Sequence, residues 1–572
     1  MKHPMFPDSA SALTVHDELA TLIRTVPVIF RSGMLGVSSP GQLPAMARAM
    51  TRWWLTMAGQ VERAVFRDGD ATFLIDDYGS LTFRETAQAA RRLAVGMRDV
   101  EGATRNSTVA YLARNGRGMV IPMTAQGYIG WRMALLNVSA GPASVARSLE
   151  KMGAEYLISD NEFIDALLQF HVHDHIRIIV NDPDLSEERR AELTQHGVGF
   201  MQDIMESARG REDDLPFHPK QSQIVIMSSG TTSDPKGIII DQPHTPKVAG
   251  TIAEKIPWRQ GLKIAFQASQ FHAWGWANTM LAATTLSTIV TRRIFDPNQA
   301  LDDAEANGCN AMVTSPVFVQ HILDADEQRP RKLQPLEFLV SAGNAWPPQL
   351  IKRTIDRFGD VVINFYGSTE HTQISAARGV DMIGNPFLAG TLMGGTKVAI
   401  LDEFHNEVPT GEIGIIYAMN SLAMRGFATN DGEIERAHGL LSTGDKGYLD
   451  EQGRLHVLGR GDSMIICGGE NIHLKAVENC VFDMSGVADA YVGADRSDPL
   501  EVTPVAWVVR ASSPEGAKLT EEDVQDYVRN NMIAPAAPTV VQIVPELERN
   551  LAGKVIPRKL PGYEQFQPAH RD

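Results

Sequence analysis

Short apolar runs alternate with helix-length segments over much of the chain. The runs TVAYLA, RMALLNV, EYLIS and IRIIV, between residues 108 and 180, are rich in β-branched residues, and segments such as GRGMVIPMTAQGYIG (116–130) separate them. This alternation is typical of βαβ units that form a parallel sheet. We therefore expect an α/β fold with a large N-terminal domain of βαβ-type sheets.

Three further apolar runs open directly into glycine-bearing loops: QIVIMSSG (223–230), LEFLVSAGNAW (336–346) and VVINFYGSTEH (361–371). Ligands of α/β proteins bind at the ends of such strands. These three loops are therefore candidates for one binding site.

The pattern differs at both ends of the chain. About the first 60 residues contain two helical stretches, ELATLIRTVPVIF (18–30) and LPAMARAMTRWWLTMAG (43–59), around the breaker-rich GVSSPGQ (36–42). We expect an extension packed on the body of the protein, and the alternative is a membrane-surface patch that uses Trp53 and Trp54.

From about Gly390 the sequence changes to short strands and turns, including a predicted hairpin at GYLDEQGRLHVLGR (447–460). After Arg460 a helix–strand alternation returns. The predicted organisation is a helical extension over residues 1–60, a main domain over 61–460 with a β-rich subdomain from about 390, and a small α+β domain over 461–572.

Composition narrows the class of protein. The 572 residues carry a formal net charge of −16, which repels nucleic-acid phosphate and argues against a nucleic-acid partner. Only three cysteines occur, without a CxxC pair, which fits a reducing compartment. The N-terminal stretch shows no apolar signal-peptide core and no window resembles a membrane span, so we expect a cytoplasmic protein.

The stretch SSGTTSDPKG (228–237) is the first candidate for chemistry. Backbone N–H groups of a glycine-rich turn, hydroxyl groups and a lysine can together surround phosphate oxygens. The stretch is not a Walker A motif, because Lys236 precedes the second glycine and no Ser or Thr follows it. Alone, it fits a polar turn equally well.

Five other stretches follow in a fixed order: FHAWGW (271–276), NFYGSTE (364–370), STGDKGYLDEQG (442–453), LGRGDSMIICGGENI (458–472) and NLAGKVIPRKL (550–560). With SSGTTSDPKG, the series resembles the adenylate-forming superfamily of acyl-CoA synthetases, nonribosomal-peptide adenylation domains and luciferases, from about residue 60 to 562. The sequence is most similar to bacterial long-chain fatty acyl-CoA synthetases.

The resemblance implies a ligase that joins a carboxylate to the α-phosphorus of ATP and then transfers the acyl group to the thiol of CoA. Mg²⁺ would be held by Glu370 with Ser228 or Thr231, since hard cations prefer oxygen ligands. Thr369 would lie near the α-phosphate. The resemblance assigns nucleotide contacts to Ser228, Ser229, Gly230, Thr231, Thr232, Ser233, Lys236, Gly343, Tyr366, Gly367 and Ser368.

The remaining assignments concern the ribose and the C-terminal domain. By resemblance, Asp445 accepts the ribose hydroxyls with help from Arg460, and Lys554 bridges the carboxylate and the α-phosphate. The C-terminal domain would be mobile and rotate about Asp462 between the half-reactions. Gly468 and Gly469 would then line the pantetheine path of CoA.

The acid is expected to bind beside FHAWGW. His272 matches a ring that moves between half-reactions, and Ala273 replaces the Asp of amino-acid-activating relatives, which favours an uncharged tail. Trp276 lies where some long-chain synthetases have a gating tryptophan. The sequence departs from the common pattern at Ser233, Asp234 and Ile466, which loosens the nucleotide assignments.

Several alternatives remain open at this stage. The leading hypothesis is a medium- or long-chain fatty acyl-CoA synthetase. The others are a ligase for a bulky aryl, alicyclic or sterol-derived acid, an enzyme that loads an acyl-carrier protein, and a nucleotide-binding protein without turnover. A homodimer and a peripheral membrane contact are also open.

Overall fold

The computed structural model describes residues 15–34, 36, 43–227, 236–243, 245–428, 433–460, 464–467, 470–497, 502–550 and 553–567. Within these residues no helix is long and apolar enough to cross a membrane.

Helices occur throughout the chain. In chain order they are α1 (Val15–Arg31), α2 (Leu43–Trp53), α3 (Met57–Asp68), α4 (Phe83–Asp99), α5 (Arg117–Ile129), α6 (Pro142–Met152), α7 (Ile164–Gln169), α8 (Glu187–Gln195), α9 (Met201–Ser207), α10 (Lys247–Lys255), α11 (Ala273–Thr284), α12 (Pro297–Asn307), α13 (Pro316–Gln328), α14 (Pro348–Phe358), α15 (Gly379–Met382), α16 (Leu474–Phe482), α17 (Pro514–Lys518) and α18 (Glu521–Asn531).

The strands are mostly short. They are β1 (Thr72–Asp76), β2 (Gly79–Thr82), β3 (Thr108–Leu112), β4 (Arg132–Leu135), β5 (Tyr156–Ser159), β6 (Arg177–Val180), β7 (Gly199–Phe200), β8 (Ile224–Met227), β9 (Gly237–Ile240), β10 (Lys263–Phe266), β11 (Thr288–Val290), β12 (Ala311–Thr314), β13 (Phe338–Ala342), β14 (Val362–Tyr366), β15 (Ser375–Arg378), β16 (Leu388–Leu392), β17 (Lys397–Leu401), β18 (Gly414–Met419), β19 (Gly426–Phe427), β20 (Arg436–Ala437), β21 (Leu440–Leu449), β22 (Arg454–Arg460), β23 (Met464–Cys467), β24 (Glu470–His473), β25 (Val487–Asp495), β26 (Thr503–Arg510) and β27 (Val540–Val544).

Two large sheets form the N-terminal body. One has the strand order β19-β9-β8-β4-β3-β5-β6-β7, and its strands from β8 to β7 are parallel, as the βαβ alternation predicts. The other has the order β17-β18-β21-β22-β16-β15-β14-β13-β12-β10-β11-β1-β2. The predicted α/β fold class is confirmed.

The strands after residue 390 extend one of these sheets. β16 pairs with β15, and β15 pairs with β14, so the predicted β-rich region is hydrogen-bonded to the parallel strands of the second sheet. The predicted hairpin is present as the antiparallel pair β21–β22. The division of the chain into domains at residue 460 stays a prediction.

The C-terminal residues form a small α+β unit. Strands β25, β26 and β27 make a three-stranded sheet. Helices α16 and α18 pack on it around a separate apolar core that contains Val477, Val508 and Val524.

The N-terminal helices differ from the prediction in one respect. The helix expected over 43–59 ends at Trp53, and α3 begins at Met57 after Trp54 adopts a left-handed φ of 52°. The Thr56 hydroxyl accepts a hydrogen bond from the Gly59 amide and so caps α3. The predicted boundary at residue 60 therefore falls inside a helix.

The two tryptophans have different environments. The ring of Trp53 is buried and contacts Tyr128 edge-on at 5.3 Å between centroids, whereas Trp54 is partly exposed. A surface patch that includes Trp53 is therefore wrong. Besides Trp54, the exposed large apolar residues described in the extension lie on α1, at Leu19, Ile23, Val26 and Phe30.

Candidate active site

The ends of β13 and β14 bring two of the predicted loops together. The two strands are adjacent and parallel, with Ala342 opposite Phe365, so the loops that follow them emerge at the same edge of the sheet. One cavity of about 1250 Å³ opens there. Its lining includes the predicted residues Gly343, Gly367, Ser368, Thr369 and Glu370.

The loop after β14 is held by hydrogen bonds on both sides. The Thr372 amide donates to the Ser368 carbonyl at 2.7 Å, and the Ser368 hydroxyl lies 3.0 Å from Nδ1 of His371. The Met424 amide donates to the Glu370 carbonyl at 2.7 Å. These bonds fix the backbone of the loop and leave the Glu370 carboxylate at the cavity, where its hard oxygen atoms fit Mg²⁺.

Lys554 reaches the same cavity from the C-terminal unit. The preceding residue, Gly553, has a φ of 78°, and a Cβ atom there would lie 3.0 Å from Nδ2 of Asn344 and 3.2 Å from Cβ of Val317. Only a glycine allows this approach without displacing a neighbour. The contact places the lysine loop against the loop after β13.

His272 lies at the N-terminal end of α11 and also lines the cavity. Burial, together with the positive charge of Lys554, lowers the pKa of His272 to about 4. Its Nε2 atom is buried and has no hydrogen-bond partner among the described residues. The imidazole is therefore neutral at physiological pH and offers one free nitrogen.

Asp445 and Arg460 face each other across the β21–β22 hairpin. The Tyr366 hydroxyl donates to Oδ2 of Asp445 at 2.5 Å, and Nη1 of Arg460 lies 4.0 Å from Oδ1. Burial raises the pKa of Asp445, opposed by the Tyr366 hydrogen bond and by the charges of Arg460 and Lys554. Arg460 lines the cavity, whereas Tyr366 and Asp445 do not.

Of the other residues predicted to contact the nucleotide or CoA, one does not line the cavity and several lie outside the described residues. Lys236 precedes β9, and its ammonium group lies 5.1 Å from the ring centroid of Phe427 on β19. It does not line the cavity. Residues 228–233, Asp462, Gly468 and Gly469 lie outside the described residues. The roles assigned to all these residues stay predictions.

One part of the cavity lining, which we call the far wall, was not predicted from the sequence. It consists of residues from the N-terminal helices and their connections: Ile29, Met34, Leu55, Gln60 and Arg63. The dense apolar positions of this segment indicated packing on the body of the protein, but no motif indicated a place in the site.

The chain matches two family descriptions. Residues 61–428 match the AMP-binding enzyme family, and residues 476–554 match the AMP-binding enzyme C-terminal domain. The first match covers more than half of the chain, so the protein belongs to the AMP-binding family of adenylate-forming enzymes. As a member of this family it is an acid–thiol ligase, and such enzymes use ATP, Mg²⁺ and CoA.

Individual relatives act on varied acids. The chain is 26% identical to the peroxisomal butyrate–CoA ligase of Arabidopsis thaliana, over 86% of this chain and 89% of the relative. It is 24% identical to a Rhodococcus jostii CoA ligase named for a methylated dioxo-octahydroindenyl propanoyl group, over 89% of this chain and 98% of the relative.

Solved structures show the same fold. The O-succinylbenzoate coenzyme A synthetase of Bacillus subtilis, in complex with AMP, aligns with a TM-score of 0.74 at 21% identity. The alignment covers 88% of this chain and 98% of that protein.

Proposed function

We propose that the protein converts a large, mainly apolar carboxylic acid, of the medium- or long-chain type, into its CoA thioester through an acyl-adenylate. The cavity supports this proposal most directly. Its volume of about 1250 Å³ exceeds the range of roughly 300–1,000 Å³ that is usual for small-molecule sites. A nucleotide next to Lys554 would leave space for a sizeable acyl group.

The acyl part of the cavity follows one face of α11. Ala273, Ala277, Met280, Leu281 and Thr284 line it at the spacing of one helix face, and Trp274, Trp276 and Asn278 line it on either side of that face. At 1.5 Å per residue, the 12 residues of α11 span about 18 Å. A short acid such as butyrate would leave most of this length empty.

Other elements add further apolar side chains to the lining. Val248 and Ile252 on α10 and Ile29 on α1 line the cavity. Trp274 lines it as well, with its ring 5.1 Å from that of Phe365. These side chains can pack against an alkyl chain or a fused-ring skeleton.

A bulky alicyclic acid is the second candidate. The Rhodococcus jostii relative is named for a fused-ring propanoyl group, and the flat ring of Trp274 suits such a skeleton. The acyl acceptor is proposed to be CoA, and an acyl-carrier protein would deliver the same thiol. A cytoplasmic location, a homodimer and a membrane contact through the exposed face of α1 are likewise proposals.

The chemistry needs a positive charge at the reacting centre. A carboxylate oxygen attacks the α-phosphorus of ATP, and the bond from that phosphorus to pyrophosphate breaks. Lys554 offsets the repulsion between the two anions. His272 is neutral, so it does not repel the ammonium group of Lys554. Glu370 would hold Mg²⁺, which would screen the phosphate oxygens. The thiol sulfur then attacks the acyl carbon, the bond from that carbon to the phosphate oxygen breaks, the thiol proton is released, and AMP leaves.

The Lys554→Ala variant tests this assignment. We expect pyrophosphate release to fall by about 100-fold or more, because a group that stabilises developing charge is lost. Thioester formation from preformed acyl-adenylate should survive. Lys559→Ala is the matched control, since Lys559 pairs with Glu548 and is partly exposed.

Three outcomes would contradict the proposal. Equal loss of both half-reactions in Lys554→Ala would contradict the separate role of this lysine. A panel of acids in which butyrate and simple benzoates outperform dodecanoic to octadecanoic acids would contradict the large acyl substrate, and sterol acids at the top would favour the second candidate. No pyrophosphate release with any acid would indicate a nucleotide-binding protein without turnover.

A further inference from the structure

A positively charged side chain is buried in the far wall of the cavity. Arg63, on α3, is only 2% exposed. Its Nη1 donates to Oε1 of Gln60 at 2.7 Å, and its Nη2 donates to the carbonyl of Met34. Its Nε has no hydrogen-bond partner among the residues that the structure describes. Arg63 and both of its partners line the cavity.

This charge has no opposite charge beside it. Among the described residues no carboxylate forms an ion pair with Arg63, and the nearest charged group that acts on it is Arg67, which is also cationic. Burial and this repulsion lower the pKa of Arg63 to about 10, so it remains protonated at neutral pH. Buried charges are normally paired, so an anion or another strong acceptor is missing here.

The position of Arg63 can be related to the reacting centre through α11. His272 precedes the first residue of this helix, and Arg67, one turn after Arg63, donates from Nη1 to the carbonyl of Thr284 at its other end. Arg63 is therefore placed towards the end of α11 that is remote from His272, and this helix is about 18 Å long.

We propose that Arg63, together with Gln60, binds an oxygen acceptor at the far end of the acyl substrate, either a second carboxylate or a carbonyl. The acid would then be bifunctional: one carboxylate reacts at Lys554, and the other oxygen group occupies the fork of the guanidinium. This inference rests on the proposed function and specifies its substrate.

A second unpaired donor supports an oxygen-bearing acid. Nε1 of Trp274 is buried and has no hydrogen-bond partner in the described part of the chain, and Trp274 lines the cavity along α11. A plain alkyl chain would leave Nε of Arg63 and Nε1 of Trp274 without a hydrogen bond. Buried polar groups in proteins are seldom left unpaired, because this costs free energy. An acid with oxygen substituents would satisfy them.

The structural alternative is that Arg63 only anchors the N-terminal extension through the Met34 carbonyl. That role predicts a loss of stability on substitution and no dependence on the chemistry of the acid. The bifunctional-substrate role predicts a change in KM that depends on the far-end group.

Matched acids test the proposal. Monocarboxylic, α,ω-dicarboxylic and ω-oxo acids of the same chain length, near dodecanoic acid, are compared for pyrophosphate release with ATP and CoA. We expect the wild type to have a lower KM for the dicarboxylic or the oxo acid than for the monocarboxylic acid. The acid with the lowest KM identifies the group that Arg63 binds. In Arg63→Met we expect the KM of that acid to rise about 10- to 100-fold, and the KM of the monocarboxylic acid to change by a much smaller factor.

The controls separate charge from packing. Arg63→Lys keeps the charge but loses the fork, and should have an intermediate KM for the bifunctional acid. Arg132→Met is the matched control, because Arg132 also has a buried, unpaired Nε but does not line the cavity. The rise in melting temperature caused by the bifunctional acid alone should disappear in Arg63→Met and persist in Arg132→Met.

Each other outcome overturns the inference. If the wild type prefers the monocarboxylic acid, the inference is overturned, and this result does not depend on whether Arg63→Met folds. An equal effect of Arg63→Met on all three acids leaves only the anchoring role. If no acid yields pyrophosphate, the proposed function itself has failed, which is distinguishable from turnover without a preference for the far-end oxygen.

Discussion

Burial and a neighbouring charge both lower the pKa of the His272 side chain. Its imidazole is half-buried in the cavity wall, where burial lowers its pKa, and Lys554 contributes a positive potential that also disfavours protonation. The two effects keep the ring neutral next to a lysine that must remain charged. Because Lys554 belongs to the C-terminal unit, removal of that lysine from the cavity would raise the pKa of His272.

This histidine should make stability dependent on pH. The folded pKa of about 4 lies below the unfolded value of 6.5, so between these values the unfolded chain takes up a proton that the native protein does not. Stability is therefore present above about pH 6.5 and is lost as the pH falls towards 4. We expect His272 to account for a loss of about 2 kcal/mol between pH 7.5 and pH 5.

Urea unfolding at the two pH values measures this contribution, with His272→Asn as the comparison. The wild type should lose about 2 kcal/mol more than the variant over this range. Lys554→Met should reduce the excess, since one cause of the low pKa is removed. Identical pH profiles of the wild type and His272→Asn would show that the ring is not kept neutral.

At the scale of elements, the apolar periodicity predicted the strands well and the N-terminal helices less well. β3, β4, β5 and β6 lie within the predicted runs. The helix break at Trp54 was not predicted. The turn brings Gly59 so close that a Cβ there would lie 2.1 Å from the Trp54 carbonyl oxygen. Apolar periodicity and helix propensity do not report a left-handed residue and a new cap within a continuous apolar pattern.

A glycine in α11 permits a similarly close approach beside the site. A Cβ at Gly275 would lie 2.0 Å from the carbonyl oxygen of Ser269, which is backbone and cannot turn aside. We expect Gly275→Ala to reduce the free energy of unfolding by about 1–3 kcal/mol. Adenylation should also fall, because α11 carries His272 at its start.

Gly141→Ala is the control for this substitution. A Cβ at Gly141 meets no atom within 4 Å, and the weaker helix cap is offset by the reduced freedom of the unfolded chain. Its free energy of unfolding should change by less than about 0.5 kcal/mol. Equal stability of Gly275→Ala and Gly141→Ala, by urea unfolding, would show that α11 can shift without strain.

At the scale of the whole molecule, the order of motifs predicted more than any single motif did. The six motifs identified the family, which the match over residues 61–428 confirms. The site itself combines the ends of β13 and β14, a loop from the C-terminal unit and the helices around residue 60. The last of these could not be predicted, since Arg63 reaches the cavity only through packing of α3 on α11.

Lys554 lines the cavity, the arrangement that its proposed role in adenylation requires, and the resemblance implies that the C-terminal domain then rotates. A disulfide can test that rotation. A Cβ at residue 553 would lie 3.2 Å from Cβ of Val317, close to the range of about 3.5–4.5 Å found in disulfides. We therefore expect Val317→Cys combined with Gly553→Cys to form a cross-link under oxidising conditions.

The cross-link should hold Lys554 in place and separate the two half-reactions. We expect the oxidised double variant to release pyrophosphate, and to form thioester from preformed acyl-adenylate at least about 10-fold more slowly than the same protein after reduction by dithiothreitol. The reduced double variant is the control for the strain of a cysteine at the positive φ of residue 553. The single variant Val317→Cys is the control for oxidation of the native cysteines. Equal thioester rates before and after reduction, with the cross-link verified by mass spectrometry, would mean that thiol transfer proceeds without movement of the C-terminal unit.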